Sequence, residues 1–450
     1  MNNKIQDTSI VILGASESGV GSAILAQKVG YKKVFVSDGG LIKEKYKSKL
    51  ESLHIDFEEG GHTFDRILGF DEVMKSPGIP EESNVVKSIR QKGINIISEI
   101  ELAYRHKGNS KIVGITGSNG KSTTTSLMYH ICEVAGLDAA LVGNIGYSIA
   151  AQIAEDPKEY YITEISSFQL DDIETFRPEI AILLNITPDH LDRYDHKFEN
   201  YIDAKFKITV NQTSEDYFIY CEDDPVIVEK LQSFPLHAKP LPFTMSKEIK
   251  KGAFIKGDQM ILNTKEESVS MNIYEFALKG KHNQYNTMAA GIASQVMGIR
   301  KEKIREAVQT FNSLEHRMES VATVRGVEFI NDSKATNLNS VWFALESMTQ
   351  PVVLILGGID KGNDYSLLLD DVKSKVKAIV CLGKDNSKIH AAFDGVVPNP
   401  IVDTDNMKDC VHVAFNMAEK GDVVLLSPAC SSFDLFNSYI DRGNQFKEAV

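Results

Sequence analysis

Short runs of apolar residues alternate with longer mixed segments along this chain, and most of the runs end in glycine or a polar residue. Examples are Ser9–Leu13, Lys111–Ile115 and Val352–Leu356, each of which is rich in valine and isoleucine. Apolar runs of this length, separated by segments long enough for helices, are typical of buried parallel strands joined by crossover helices. The pattern predicts an α/β fold built from three such blocks.

One segment of the second block carries the strongest chemical signal. Thr116–Thr123 reads Thr-Gly-Ser-Asn-Gly-Lys-Ser-Thr and joins a predicted strand to a predicted helix. Its glycines let backbone N–H groups approach a phosphate, the helix N-terminus favours negative charge, and Lys121 adds a positive charge. Ser122 can reach a magnesium ion on those phosphates. The loop is a short variant, and a plain glycine turn is the alternative; we predict ATP contacts from Gly117, Ser118, Asn119, Gly120, Lys121, Ser122 and Thr123.

The blocks predict three domains. We expect a Rossmann-like N-terminal domain over residues 1–99, a P-loop NTPase-like central domain over 100–313, and a Rossmann-like C-terminal domain over 314–450. Between Tyr217 and Leu278, short segments separated by turns predict an antiparallel addition to the central domain. A length of 450 residues and a hydrophobic content of 42% suit three domains with buried cores.

Two further strands of the central block also end in polar chemistry, and they are predicted at Tyr160–Ile165 and Glu179–Ile186. If both run parallel to the strand before the phosphate loop, Glu164 and His190 lie at the same sheet edge as Lys121. Glu164 and Ser122 then suit a magnesium ion that bridges phosphates. His190 is either a ligand of a second ion or a surface residue.

Three other residues of the central block allow more than one interpretation. Lys205 lies in a helix predicted from Lys197 to Val210 and, by itself, reads as an ordinary solvated lysine. Asn283 and Asn286 are one helical turn apart and share a face that can hold the polar edges of a base or sugar. An asparagine helix cap with a solvent-facing neighbour explains the same pattern.

The first block resembles the beginning of a dinucleotide-binding fold. A glycine turn, Gly14–Gly19, follows the first strand, and the next strand ends at Asp38. The turn lacks the complete GxGxxG fingerprint, so binding of a nucleotide-like group and simple tight packing both remain open. A second turn, Ser76–Pro80, is predicted at the same edge of the sheet.

The third block ends three of its strands in loops rich in aspartate, serine, threonine and lysine. These loops are Asn331–Asn337, Gly357–Gly362 and Ser427–Phe433. One such loop is unremarkable as a connection, but three at one sheet edge indicate an anionic substrate that carries an amine or a hydroxyl group.

Charge and cysteine usage narrow the class of protein. A net charge of −13 argues against a nucleic-acid or membrane-binding surface, and no apolar stretch approaches the ~18 residues of a membrane span. The five cysteines are scattered without CxxC spacing, which favours reduced thiols. We therefore expect a cytoplasmic protein with small substrates, no nucleic-acid partner and no stable membrane association.

These strings, in this order, resemble the Mur ligases of bacterial peptidoglycan synthesis over essentially the whole chain. The most specific parts are Thr116–Thr123, Glu164–Leu170, Asn185–Asp192, Gly280–Asn286, His316-Arg317 and Asp332–Asn337. The last string is similar to that of the D-glutamate-adding members. Folylpolyglutamate synthase is the nearest rival but lacks a first domain of this kind. From another class, a nucleotide-dependent switch hydrolyses ATP without forming a bond.

The resemblance implies a reaction. ATP phosphorylates the carboxylate of UDP-N-acetylmuramoyl-L-alanine, and the amine of D-glutamate attacks the acyl phosphate through a tetrahedral intermediate. The cofactors implied are ATP and Mg²⁺. Ser122 and Glu164 would hold one magnesium ion, and His190 with a carbamylated Lys205 the other; Lys121, His190 and Lys205 are the implied catalytic residues.

Matched positions also imply the remaining contacts. ATP would be contacted by Asn283, Asn286, Arg317 and Asp332, and the muramoyl group by Asn144 and Ser166. The uridine diphosphate would lie near Ser18, Asp38 and Gly78, although Gly39-Gly40 stands where many members carry a Thr-Arg pair near the uracil. D-Glutamate would be contacted by Lys334, Thr336, Lys361, Ser432, Phe433 and Tyr439. We expect a monomer with hinges near residues 100 and 313.

Overall fold

The computed structural model describes residues 5–264, 268–278, 280–311, 315–360 and 362–450. The chain divides into two compact units. The first comprises Met1–Phe276 and Tyr285–Thr310, and the second comprises Ala277–Gln284 and Phe311–Val450. The predicted boundary at 313/314 falls among residues 312–314, which lie outside the described residues. The boundary at 99/100 lies inside the first unit and stays a prediction.

The first unit begins with a five-stranded sheet in which every pair of neighbouring strands is parallel. Its strands are β1 (Ser9–Leu13), β2 (Lys33–Ser37), β3 (Asp56–Glu58), β4 (Glu72–Lys75) and β5 (Asn95–Ile97), in the order β3-β2-β1-β4-β5. The helices are α1 (Glu17–Val29), α2 (Glu44–Ser52), α3 (Phe64–Ile67) and α4 (Asn84–Lys92). This is the Rossmann-like arrangement predicted for the first block.

The second sheet of the first unit has nine strands in the order β14-β13-β12-β11-β10-β9-β6-β8-β7. They are β6 (Lys111–Thr116), β7 (Ala139–Gly143), β8 (Tyr160–Glu164), β9 (Ile180–Leu183), β10 (Tyr217–Cys221), β11 (Lys239–Thr244), β12 (Gly252–Lys256), β13 (Gln259–Asn263) and β14 (Val269–Asn272). Strands β8 and β9 both flank β6 in parallel, as predicted. The carboxyl ends of these strands therefore share one edge.

The helices of this part are α5 (Glu99–His106), α6 (Lys121–Ala135), α7 (Ile149–Glu155), α8 (Ser167–Asp171), α9 (Phe198–Phe206), α10 (Pro225–Leu231), α11 (Lys281–Val296) and α12 (Lys301–Thr310). The helix predicted from Lys197 to Val210 is thus α9 followed by a 3₁₀ turn, Lys207–Thr209. Further 3₁₀ turns lie at Leu191–Arg193 and Ile273–Glu275.

The antiparallel addition predicted after Tyr217 is wrong for its first strands. Strands β10 and β11 extend the sheet in parallel, and β12 begins in parallel with β11. In the described part of this sheet, the antiparallel pairs are β12 with β13 and β13 with β14. Helix α10 connects β10 to β11, and such a crossover helix returns the chain to the edge at which β10 began.

The second unit contains a six-stranded sheet in the order β15-β16-β20-β17-β18-β19. The strands are β15 (Glu319–Val324), β16 (Val327–Asn331), β17 (Val352–Gly357), β18 (Val376–Leu382), β19 (Val402–Thr404) and β20 (Val423–Ala429). The helices are α13 (Leu338–Glu346), α14 (Leu369–Lys375), α15 (Ser387–Phe393), α16 (Met407–Met417) and α17 (Tyr439–Ala449), with a 3₁₀ turn at Tyr365–Leu368. Only β15 pairs in antiparallel fashion among these strands.

The packing in the core of the second unit explains why its strands consist of continuous apolar runs. Along β17, Leu354 and Leu356 join the cluster on one face of the sheet, whereas Val353 and Ile355 join the cluster on the other. A strand that is covered on both faces has no solvent-facing side, so alternation of apolar and polar residues is lost. The predicted three-block α/β architecture is confirmed.

Candidate active site

The phosphate loop lies between β6, which ends at Thr116, and α6, which begins at Lys121. Its two glycines have φ values of 149° and 83°, and such positive values favour glycine. The segment after β9 holds the loop from the other side. Ser118 N donates to Asn185 O at 2.9 Å, and Asn119 N donates to Asn185 Oδ1 at 2.8 Å. The loop is therefore shaped by two strand ends rather than by its own sequence alone.

Lys121 folds back over this loop. Its Nζ donates to Gly117 O at 2.7 Å and to Ser118 O at 2.8 Å. The neighbouring Ser122 is buried at the first turn of α6. A cation against the loop and a hydroxyl at the first turn of α6 are the groups that a nucleoside triphosphate with its metal ion would need there.

Glu164 ends β8 directly beside the loop strand, because Ile115 and Glu164 are register partners. The side chain is 1% exposed, and Asn144 Nδ2 donates to its Oε1 at 2.7 Å. A carboxylate and the Ser122 hydroxyl at one sheet edge form a donor set of hard oxygens, which fits Mg²⁺. The predicted convergence of these strand ends is confirmed.

Lys205 is fully buried, contrary to the interpretation of a solvated lysine. Its Nζ donates to Gly117 O at 2.8 Å and lies 4.6 Å from the ring centre of Tyr201. Burial, together with the positive charge of Lys121, holds the pKa of Lys205 well below its usual value. A buried position that favours the neutral amine therefore lies beside Gly117 of the phosphate loop.

His190 lies after β9, at the start of the Leu191–Arg193 turn, and has a φ of 54°. Its ring packs edge-on against Phe168 at 5.2 Å, and 40% of the side chain is exposed. Arg193 reaches across to the first block, where its Nη2 donates to Pro77 O at 3.2 Å and Ile79 O at 3.4 Å. The turn that carries His190 is thereby attached to the Ser76–Pro80 turn.

The two asparagines of α11 are both buried, at 8% exposure for Asn283 and 4% for Asn286. Asn286 Oδ1 accepts a hydrogen bond from Thr124 Oγ1 at 3.2 Å. A Cβ placed on Gly120 would come within 2.4 Å of the same oxygen. Helix α11 thus contacts the phosphate loop closely through Asn286, and any side chain at position 120 would displace it.

Asp38 joins the loops at the edge of the first sheet. Its Oδ2 accepts from Ala15 N at 2.7 Å, and its Oδ1 accepts from Gly40 N at 2.8 Å. Ser18 is partly exposed at the start of α1, and Gly78 is exposed. Leu41 is 84% exposed directly beside Gly40. The predicted edge therefore presents both polar groups and an uncovered apolar side chain.

His62 is a candidate that sequence reasoning missed. A Cβ on Gly39 would lie 3.1 Å from His62 Nε2, so the imidazole fills the space beside that glycine. Ser37 Oγ donates to Glu58 Oε1 at 2.6 Å and lies 2.7 Å from His62 Nδ1. Because the hydroxyl has only one hydrogen, it accepts from Nδ1–H, which leaves Nε2 as the acceptor. The only signal in the sequence was the absence of side chains at Gly39-Gly40.

In the second unit, residues that were predicted to bind substrates lie near one another in and around the loops that follow β16 and β20. Lys334 Nζ lies 5.6 Å from the ring centre of Tyr439, and Ser333 Oγ donates to Tyr439 O at 2.8 Å. Asp332 Oδ2 accepts from Ser427 Oγ at 2.9 Å. Burial raises the pKa of Asp332 to about 7, against the lowering effect of the Arg317 charge.

The other predicted residues of this unit differ in exposure. Thr336 is partly exposed, Ser432 is buried, and Phe433 is 69% exposed. The loop after β17 pairs with the loop after β20, since Ile359 N donates to Ser431 O at 2.8 Å. Lys361 lies outside the described residues.

Arg442 is a second residue that sequence reasoning missed. It is 1% exposed on α17, and its guanidinium group bridges two of the polar loops. Its Nη2 donates to Ser333 O at 2.8 Å, its Nε to Ser333 Oγ at 3.0 Å, and both Nη atoms to Cys430 O at 3.2 Å. A lone arginine in a mixed helix gives no sequence signal of this role.

Three family models match consecutive parts of the chain. A MurD N-terminal domain matches residues 8–85, a Mur ligase middle domain matches 115–294, and a Mur ligase glutamate ligase domain matches 316–430. Among solved structures, the MurC ligase of Thermotoga maritima has a TM-score of 0.63 at 16% identity and covers 98% of both chains. A MurF structure from Acinetobacter baumannii has a TM-score of 0.62 at 15% identity, covering 98% of this chain and 93% of that one. These structures share the fold.

Sequence relatives are much closer. A protein of Bacteroides thetaiotaomicron is 54% identical over 98% of this chain and 99% of its own length. A protein of Salinibacter ruber is 40% identical over 100% of this chain and 98% of its own length. The chain therefore belongs to the Mur ligase family. Within it, both relatives bear the name UDP-N-acetylmuramoylalanine–D-glutamate ligase, and the chain belongs to that branch.

Proposed function

We propose that this chain catalyses the ATP-dependent addition of D-glutamate to UDP-N-acetylmuramoyl-L-alanine in peptidoglycan synthesis. The observation that carries the proposal is the meeting of Lys121, Ser122 and Glu164 at the phosphate-loop edge of one sheet. The names of the relatives that match the whole chain supply the substrates.

In the first half of the reaction, a carboxylate oxygen of the L-alanyl group attacks the γ-phosphorus of ATP. The bond from that phosphorus to the β,γ-bridging oxygen breaks, which gives an acyl phosphate and ADP. Lys121 and the loop N–H groups stabilise the charge on the moving phosphoryl group. Lys121 exchanges its contacts with Gly117 O and Ser118 O for contacts with phosphate oxygens.

In the second half, the amine of D-glutamate attacks the acyl carbon, and the tetrahedral intermediate collapses. The phosphate leaves with the bonding electron pair, and the amine gives up a proton as the amide forms. We assign Lys334, Thr336, Lys361 and Ser432 to the two carboxylates of D-glutamate, since cations and hydroxyls suit carboxylate oxygens. Phe433 and Tyr439 would cover its carbon chain.

The donor set of the first unit fits Mg²⁺, with Ser122 and Glu164 as ligands of one ion and His190 with Lys205 as ligands of a second. When bound, these ions would neutralise phosphate charge and join the phosphoryl donor to its acceptor. The role of Lys205 requires a carbamate on Nζ, which turns the amine into an oxygen donor. Its full burial next to Gly117 O supports this assignment, because a free ammonium group would be costly there.

For the nucleotide sugar we assign Asn144 and Ser166 to the muramoyl end, and Ser18, Asp38 and Gly78 to the diphosphate end. We add His62, whose Nε2 can accept the N3–H of uracil beside Gly39. The exposed Leu41 side chain is suited to cover the base. His62 would thus replace the side chains that Gly39-Gly40 lacks.

For ATP we assign Asn283, Asn286, Arg317 and Asp332 in addition to the phosphate loop.

The helices in the described part of the chain include none that is long and apolar enough to cross a membrane. All five cysteines are buried free thiols, which suits a reducing compartment. We expect a cytoplasmic monomer, which light scattering after size-exclusion chromatography would test.

The decisive experiment measures phosphate release from ATP with UDP-N-acetylmuramoyl-L-alanine and D-glutamate, L-glutamate or no amino acid. Mass spectrometry follows the product. We expect release with D-glutamate alone, together with a product that is heavier by one glutamyl residue.

Two other results would contradict the proposal. Phosphate release without either substrate would indicate a nucleotide switch. A protein that is inactive with this nucleotide sugar but adds glutamate to a folate would belong with the folylpolyglutamate-synthase type of amide ligase.

A further inference from the structure

A cluster of metal-binding side chains lies in the second unit, apart from every residue assigned above. Cys381 belongs to β18, His390 to α15 and Asp403 to the edge strand β19. One ligand atom from each residue lies within 4.8 Å of the other two. Three successive elements of the fold therefore bring a thiol, an imidazole and a carboxylate to one point.

The imidazole is already oriented for metal binding. His390 Nδ1 lies 3.2 and 3.3 Å from the carboxylate oxygens of Asp394, and Nε2 lies 3.2 Å from both oxygens of Asp403. A metal-binding histidine usually gives its second ring nitrogen to a carboxylate, which fixes the ring. Asp394 supplies that contact, so that Nε2 points into the cluster.

The Asp403 carboxylate is also held by a hydrogen bond, and the cluster is open to solvent on one side. Asn386 Nδ2 donates to Asp403 Oδ1 at 2.9 Å. Cys381 is buried, whereas the side chains of His390 and Asp403 are 30% and 56% exposed. A surface cavity of about 780 Å³, lined by Asn386, His390 and Asp403 among others, adjoins them. A metal ion can therefore enter from solvent, and a water molecule can complete its coordination.

We propose that Cys381 Sγ, His390 Nε2 and one oxygen of Asp403 bind a zinc ion. A mixed donor set of sulfur, nitrogen and oxygen suits Zn²⁺, whereas Mg²⁺ and Ca²⁺ prefer sites made mainly of oxygen ligands. The site differs in donor chemistry from the oxygen-rich edge in the first unit. It goes beyond the ligase activity and does not depend on it.

The position of the cluster indicates what the ion would do. Strand β19 has three residues and pairs with β18 at the edge of the sheet. The ion would attach both β19 and α15 to the buried strand β18. Helix α15 also carries Lys388, whose Nζ pairs with Asp360 at 2.7 Å in the loop after β17. Zinc would therefore stabilise this edge of the second unit and the helix that contacts this polar loop.

Cobalt substitution of the full-length protein tests the proposal directly. After treatment with chelator and reductant, titration with Co²⁺ should give a near-ultraviolet thiolate-to-cobalt band at one ion per chain, and added Zn²⁺ should remove it. Ions held by Ser122, Glu164, His190 and Lys205 in the first unit should give no such band, because none of these assigned ligands is a thiolate. Cys381→Ser should abolish the band, whereas Cys132→Ser, which changes a buried thiol in the first unit, should retain it.

A second readout covers the case in which Cys381→Ser does not fold. Zn²⁺ should raise the melting temperature of the unmodified protein. His390→Ala should weaken zinc binding by more than about 100-fold, because it removes a direct ligand and the loss of an outer partner alone costs about 10- to 100-fold. His412→Ala, on the neighbouring helix α16, is the matched control and should bind zinc normally. A cobalt spectrum without the thiolate band, or a zinc-induced shift that is unchanged in His390→Ala, would overturn the proposal.

Discussion

At the scale of single residues, Lys205 shows that the surroundings of a side chain can give it a chemical role that its residue type does not indicate. Its amine is buried against Gly117 O, where burial and the positive charge of Lys121 disfavour an ammonium ion. A carbamate would make the same side chain anionic and able to bind magnesium. Sequence alone favoured a solvated lysine, because nothing in the residues of α9 marks the buried position of this one.

We expect Lys205→Ala to lose more than about 100-fold in kcat, since an ion ligand is removed. Short carboxylic acids should restore part of the activity, because they can place a carboxylate where the carbamate was. Initial rates at saturating substrates, with and without added formate or acetate, measure both effects. Lys197→Ala, an exposed lysine just before the same helix, is the control. Full activity of Lys205→Ala would remove the assigned role.

His62 makes the second prediction at this scale. His62→Ala should raise the KM for UDP-N-acetylmuramoyl-L-alanine by about tenfold, the usual cost of one neutral hydrogen bond, and leave kcat unchanged. His54→Ala, an exposed histidine of the same block, should match the unmodified protein. Steady-state kinetics with the nucleotide sugar varied would decide the point. A raised KM for ATP instead would show that His62 does not contact uracil.

At the scale of secondary-structure elements, the packing of a neighbouring helix affects the shape of the phosphate loop. Gly120 has a φ of 83° and faces Asn286 of α11, whereas Gly136 ends the same helix, α6, at a φ of 71° with open space around it. The two glycines share a left-handed backbone, but only a Cβ on Gly120 would meet neighbouring atoms, those of Asn286 and Leu184. They therefore form a natural pair of variants.

Alanine should cost about 1 kcal/mol of stability at Gly136 and more at Gly120, because both residues are left-handed and only Gly120 also lies against Asn286. Only Gly120→Ala should also lose ATP affinity, since its Cβ would displace Asn286 and reshape the loop. Isothermal titration with ATP and chemical denaturation measure the two effects separately. Equal ATP affinities for both variants would mean that the contact between α6 and α11 does not shape the site.

Helix α17 has a comparable role in the second unit, where Arg442 bridges the loops after β16 and β20. Lysine cannot reproduce the planar guanidinium fork. Arg442→Lys should cost about 2 kcal/mol of stability and raise the KM for D-glutamate more than that for ATP. Arg325→Lys, in the exposed turn between β15 and β16, is the control. An unchanged KM for D-glutamate would show that the bridge does not position these loops.

At the scale of the whole molecule, the sequence predicted the three α/β blocks well, but it was a poorer guide to strand direction and to the burial of individual side chains. The parallel direction of β8 and β9 on either side of β6 was predicted correctly, because parallel strands that alternate with helices end at one edge. The parallel pairing of β10 and β11 was missed, because strand direction depends on where α10 packs and not on the strand residues. His62 and Arg442 were missed because their partners are distant in sequence.

Glu99 connects the first two blocks of the first unit. It begins α5, and its carboxylate accepts from Ser148 Oγ at 2.5 Å and Ala150 N at 3.3 Å, both at the start of α7. Helix α7 in turn packs against α1 of the first block, where a Cβ on Gly21 would come within 2.0 Å of Ser148 Oγ. Burial raises the pKa of Glu99 to about 7.

A carboxyl group with a raised folded-state pKa makes the folded state bind more protons than the unfolded one between pH ~4.5 and ~7. Stability should therefore fall as pH rises through this window, by about 3 kcal/mol for this group. Glu99→Gln keeps an acceptor for Ser148 but cannot ionise. Its free energy of unfolding relative to the unmodified protein should improve by that amount between pH 4 and pH 8, which together span the window.

Urea denaturation at several pH values, followed by circular dichroism, measures this difference. Any constant cost of the glutamine amide cancels, because only the change with pH is compared. Glu51→Gln, at an exposed glutamate on α2, is the control. A pH-independent difference for Glu99→Gln would mean that this carboxyl group is not protonated in the folded protein. The contact between α5 and α7 would then contain a buried negative charge at neutral pH.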